Sequence, residues 1–149
     1  MREIQKAESL ANITFNLLVR CQEKEARLAE AHKLLEAEFK CFRIMGSEEN
    51  LNNNELAKRM RLSPGRITRI IDGLVEKGYM QRKIDQADRR NMKLSLSNKG
   101  RNLTKKLTSA YIQIHKEILQ EIDVSQHKSL LTAMEQLHSA VERWLQKPR

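Results

Sequence analysis

Between Asn53 and Arg101 the apolar residues change period from helical to strand-like, and this succession restricts the fold more than any other feature of the chain. Leu56, Ala57 and Met60 mark a short helix. Arg61-Leu62-Ser63-Pro64 interrupts it, and Ile67, Ile70, Ile71, Leu74 and Val75 resume at spacings of three and four. Ser63 suits the position just before a helix, where its hydroxyl can accept from an orphan backbone N–H. Pro64 at the next position loses nothing, because that N–H has no partner in a helix. Gly78 is a helix stop. Beyond it Met92, Leu94 and Leu96 alternate with Lys93, Ser95 and Ser97, the period of a half-buried strand, and Tyr79 to Ile84 can pair with it across the polar stretch 85–91. Short helix, turn, helix and hairpin make a winged helix-turn-helix, so the expected fold class is mainly α (α+β).

The flanks read as helix. Ile4, Ala7, Ala11, Thr14, Leu17 and Cys21 draw one apolar stripe, and the segment runs on without a breaker through Leu34, Leu35, Phe39, Phe42 and Met45 to Gly46. That length predicts two helices rather than one, with no residue to mark the boundary. After Gly100, Leu103, Leu107, Ala110, Ile114, Ile118 and Ile122 repeat the pattern. Asp123 to Ser125 interrupts it, and Leu130, Met134, Leu137, Val141 and Trp144 continue it. Such narrow seams serve either an intramolecular core or a helical dimer interface. The expectation is a single domain over 1–149, with 35–100 as the winged module and 1–34 with 101–149 as helical flanks that serve one or the other of these roles.

Charge narrows the partner. The 149 residues carry a net +9 with a pI near 9.8. From Glu55 to Arg101 there are thirteen basic residues against five acidic, a net +8, while the rest of the chain is nearly balanced. Excess concentrated on one module points to a polyanion such as double-stranded DNA. No run approaches the roughly 20 apolar residues of a membrane helix, and the first residues have no signal-peptide character, so a cytoplasmic protein with no membrane contact is expected. Cys21 and Cys41 are then reduced thiols rather than a disulfide framework.

In a helix-turn-helix the second helix enters the roughly 12 Å wide major groove with its N-terminal residues leading. Ser63, Gly65, Arg66, Thr68 and Arg69 occupy that end. Arg66 and Arg69 can each donate two hydrogen bonds to guanine, Thr68 can offer hydroxyl or methyl, and Gly65 lets the backbone come close. Arg89 and Arg90 lie in the hairpin loop, where an arginine suits the narrow minor groove. Asp88 beside them is an organiser rather than a contact.

The stretch NELAKRMRLSPGRITRIIDGLVEKGYMQRK, followed by IDQADRRNMKLSLSNKGR, resembles the multiple antibiotic resistance regulator (MarR) family of winged-helix repressors. The second segment is similar to that family's wing signature, with Asp88-Arg89-Arg90 ahead of Leu96-Ser97 and Lys99-Gly100. Ser97 stands for threonine, and Arg61 where many relatives have glycine. The resemblance implies that Arg90 is the minor-groove arginine and that Arg89 meets phosphate. It also implies that the terminal helices interlock in a homodimer on a pseudo-palindromic operator. It further implies release from DNA by a small lipophilic or phenolic effector, or by oxidation of a cysteine. Cys21, with Lys24 one turn ahead, and Cys41, set among Phe39, Phe42, Ile44 and Met45, are the two thiols available. The effector residues are open.

Other chemistry has little support. His32, His115, His127 and His138 form no metal-binding spacing, and no phosphate loop, nucleophile elbow or paired carboxylates occur, so no metal, cofactor or catalytic residue is expected. The competing reading is a winged-helix interaction module that docks on an acidic protein or RNA and has no operator.

Overall fold

In a computed structural model, residues 2–47, 50–84, 86–87 and 92–149 are described. Two compact units result, Met1–Thr108 and Ser109–Arg149. The first contains α1 (Glu3–Ala31), α2 (Glu36–Ser47), α3 (Asn53–Met60), α4 (Pro64–Glu76), β1 (Met80–Ile84), β2 (Met92–Leu96) and the beginning of α5 (Asn98–Gln120). The remainder of α5, a 3-10 turn (Val124–Gln126) and α6 (His127–Gln146) make up the second.

Three helices of the first unit end in the same way. At the close of α1, Lys33 takes φ 56° and the Leu34 N–H donates to Ala29 O at 2.9 Å. At the close of α3, Arg61 takes φ 55° and the Leu62 N–H donates to Ala57 O at 3.0 Å. After α4, Gly78 takes φ 81° and the Tyr79 N–H donates to Leu74 O at 2.9 Å. Each is a Schellman cap, in which a left-handed residue turns the chain so that the next N–H reaches back to an orphan carbonyl. The first of these sets the boundary between α1 and α2.

β1 and β2 pair antiparallel, with Met80 opposite Leu96 and Ile84 opposite Met92. Asn52 bridges to Lys93, and the Leu94 N–H donates to Leu51 O at 2.8 Å, so the residues leading into α3 add a short rung to β2. The strand period departs from expectation. Met92 is 41% exposed while Ser95 is buried between Leu94 and Leu96, because the C-terminal end of β2 is covered on both faces.

The core joins Leu28 of α1, Phe39, Phe42 and Met45 of α2, Leu56 of α3, Ile67, Ile71 and Leu74 of α4, Met80, Leu94 and Leu96 of the hairpin, and Leu103 and Leu107 of α5. Phe42 meets Tyr79 edge to face at 5.6 Å. Gly100 lets the first turn of α5 press on the chain entering β1, where an added Cβ would lie 2.0 Å from Tyr79 O. Ser97 Oγ accepts from the Gly100 N–H and donates to Gly78 O. Lys99 Nζ donates to Lys77 O at 2.9 Å and lies 4.7 Å from the Tyr79 ring centroid.

In the second unit Asp123 caps the 3-10 turn by accepting from the Ser125 hydroxyl and the Ser125 N–H, and these bonds, the hydroxyl's first, hold its carboxyl below the usual range. His127 Nε2 lies 2.9 Å from both Leu119 O and Ile122 O. Both units leave apolar side chains exposed, among them Ile13, Phe15 and Leu18 in the first and Leu131, Met134 and Trp144 in the second. Among the described residues no helix is long and apolar enough to cross a membrane.

Candidate nucleic-acid interface

The N-terminal end of α4 follows from its cap. Ser63 Oγ accepts from the Arg66 N–H at 3.3 Å, which leaves its own proton free to donate outward, and Pro64 occupies the first helical position. No acidic residue lies in the first turn, so the positive end of the helix dipole is not neutralised there. Ile67, Ile71 and Leu74 are fully buried on one face. The opposite face brings Ser63, Gly65, Arg66, Thr68 and Arg69 together, all exposed. Thr68 Oγ1 donates to Pro64 O at 2.9 Å, so its proton is engaged within the helix and its methyl and lone pairs face outward. A Cβ added at Gly65 meets nothing within 4 Å. Arg89 and Arg90 fall outside the described residues.

Structure divides the basic residues of this module into two groups. Arg82 of β1 pairs with Asp72 of α4, Lys77 Nζ lies 2.8 Å from the buried Glu38 carboxylate, and Lys99 is engaged as described above. Arg59, Lys93 and Arg101 also have interactions. The side chains of Lys58, Arg61, Arg66, Arg69 and Lys83 have no partner among the described residues. Counting charge along the sequence could not make this division, because Asp72, Glu38 and the Tyr79 ring meet their cations only in the folded chain. Arg82 is the positioning residue that the sequence did not reveal. It fastens the hairpin to α4, and nothing in its local pattern distinguishes it from Lys83.

Oxidation chemistry is unevenly supplied. Cys41 is fully buried with its Sγ 3.2 Å from Met60 Sδ, and burial together with the Glu38 charge pushes the thiol up to about 12. That suppresses the thiolate on which oxidation depends. Cys21 is partly exposed with Lys24 Nζ at 3.8 Å, and both cysteines are free thiols. Between α1 and α2 a cleft of about 380 Å³ is lined by Val19, Phe39, Lys40, Glu23, Glu25 and Glu36 among others. Of its three carboxylates, Glu23 pairs with Arg20 and Glu25 with Arg43. Among the described residues no three His, Cys, Asp or Glu side chains converge as a metal site would require.

Residues 34–92, which take in α2 through the first residue of β2, match the sequence model of the MarR family. Over that stretch the chain is similar to the MarR family. The chain is 30% identical over 95 residues to the HTH-type transcriptional regulator SarZ of Staphylococcus haemolyticus, a match covering 64% of the chain and 62% of that relative. It thus spans about three fifths of the length of that curated relative. The HTH-type transcriptional regulator BilQ of Clostridium symbiosum is 25% identical over 101 residues, 68% of this chain and 70% of its own. Among solved structures, a mutant MepR of Staphylococcus aureus superposes with a TM-score of 0.79 at 14% identity, over 88% of this chain and 97% of that one. A MarR transcriptional regulator of Methanosarcina mazei gives 0.74 at 20% identity, over 91% and 98%. The fold is therefore a winged helix, mostly helical with a two-stranded antiparallel sheet among the described residues.

Proposed function

We propose that this protein is a sequence-specific, double-stranded DNA-binding transcription regulator that works as a homodimer and represses. The observation that carries this reading is the exposed start of α4, where an unneutralised helix N-terminus, Ser63, Gly65, Arg66, Thr68 and Arg69 face outward while Ile67, Ile71 and Leu74 anchor the opposite side. Side chains so placed reach base edges in the major groove with the helix dipole toward phosphate. Arg66 and Arg69 read guanine, and Arg89 and Arg90 contact the backbone and minor groove from the wing. The apolar side chains left exposed on α1 and in the second unit support a dimer. Its twofold symmetry calls for a pseudo-palindromic operator with half-sites roughly 34–36 Å apart. In this scheme 35–100 is the DNA-binding region, and 1–34 with 101–149 the dimerisation region. Of the two expected routes to release, the thiol route has Cys21 alone to act through. For an effector, the α1–α2 cleft has room for a small lipophilic or phenolic molecule.

Selection of bound sequences from a random duplex pool, with reduced protein at near-physiological salt, tests this reading. An inverted repeat is expected. On that repeat Arg66→Ala or Arg69→Ala costs about 1–3 kcal/mol and relaxes preference at particular bases, whereas Arg90→Ala weakens binding with less change in preference. A pool that yields no motif, with the protein retained by acidic protein or RNA instead, overturns it.

A further inference from the structure

We propose that Arg61, in the turn between α3 and α4, is a phosphate-binding residue that clamps the DNA strand beside the recognition helix. This rests on the DNA-binding reading above and adds a contact to it.

The argument begins with the three Schellman caps. All three need a residue in the left-handed region, where a Cβ crowds the backbone and glycine alone escapes the cost. Gly78 fills this position after α4, but Lys33 and Arg61 fill it after α1 and α3. A cation at the end of a helix has an ordinary explanation, since it meets the negative end of the dipole. That explanation serves Lys33, because the last turn of α1 holds no basic residue. It does not serve Arg61, because the last turn of α3 already holds Lys58 and Arg59, and a third cation adds repulsion. Nor does the protein use the guanidinium, which is exposed and has no partner among the described residues. A strained backbone that supports an unused charge points to a partner outside the fold.

Position and chemistry name that partner. Arg61 stands two residues before Ser63, the cap of α4, and five before Arg66, at the end of the module that leads toward DNA. Glu55 is the one acidic residue of α3. The planar guanidinium donates two parallel hydrogen bonds to a phosphodiester, so the ligand is the sugar–phosphate backbone flanking the major groove, without regard to base sequence.

Thermal denaturation and duplex binding across a salt series separate this role from a structural one, using wild type, Arg61→Gly and Arg61→Lys. Arg61→Gly is expected to melt higher than wild type and yet to bind any duplex more weakly. The slope of log K against log salt falls by about 0.9 for each Arg61 removed, which is roughly fivefold in affinity near 0.15 M salt. Arg61→Lys keeps the wild-type slope. Wild-type affinity and slope in Arg61→Gly overturn the proposal, as does the glycine slope in Arg61→Lys. A midpoint for Arg61→Gly below wild type removes the strain and also overturns it. Because the contact is independent of sequence, these results are read on a random duplex whether or not an operator emerges. Wild type that binds no duplex defeats the regulator reading itself, whereas duplex binding that Arg61→Gly shares in full defeats this inference alone.

Discussion

Gly65 sits in the first turn of α4, where an added Cβ meets nothing within 4 Å, so the fold has no need of glycine there. Alanine favours helix over glycine by up to about 1 kcal/mol. Gly65→Ala is therefore expected to hold or raise the thermal midpoint while weakening binding to the selected duplex. A midpoint that falls, or affinity that stays the same, contradicts close backbone approach at this position. At this scale the sequence was legible wherever chemistry is local. Ser63 and Pro64 declare a helix start because the cap bond reaches only to Arg66. Lys33 and Arg61 declare nothing, since a left-handed lysine or arginine reads like any other, and the end of α1 was hidden for that reason.

Among elements, α2 holds the helix-turn-helix together. Glu38 accepts from the Leu35 N–H at 2.9 Å, pairs with Lys77 beyond α4, and lies close enough to Cys41 to oppose its ionisation. Burial pushes the Cys41 thiol up to about 12 in the folded chain from an ordinary value of 9.0, to which it returns once unfolded. The folded state is thus favoured fully below that ordinary value, and the advantage drains away as pH rises toward the folded one. Chemical denaturation of wild type and Cys41→Ala between pH 8 and pH 11 measures it, with a flatter decline expected for the alanine variant. Parallel declines show that some other group sets the alkaline limit. Apolar period revealed α3, α4 and β2, while β1 was legible only as the segment able to pair with β2. Period could not show that Ser95 is buried, because the residues before α3 that pair with β2 lie forty positions away and leave no mark on its alternation.

At the scale of the whole molecule, unspent apolar surface is the dominant feature. Ile13, Phe15 and Leu18 stand exposed on α1, as do Leu131, Met134, Val141 and Trp144 on α6. Met134, Val141 and Trp144 lie on a seam that was legible as periodicity, whereas Ile13, Phe15 and Leu18 lie off the stripe that spacing drew on α1, and in neither case does period show whose surface meets the apolar face. Phe15→Glu is expected to shift the protein toward monomer in sedimentation velocity. Binding to a two-half-site duplex should fall by more than binding to one half-site, since linked sites gain from effective concentration. An unchanged sedimentation coefficient places the dimer contact elsewhere. The sealed thiol of Cys41 has one more consequence. Its alkylation can proceed only through molecules that have transiently opened, so the pace at which a thiol reagent consumes it records the opening equilibrium directly. Ligands, salts or DNA that hold the fold shut will each slow that reaction, giving, once the more accessible Cys21 is replaced by serine, an assay of their grip under native conditions.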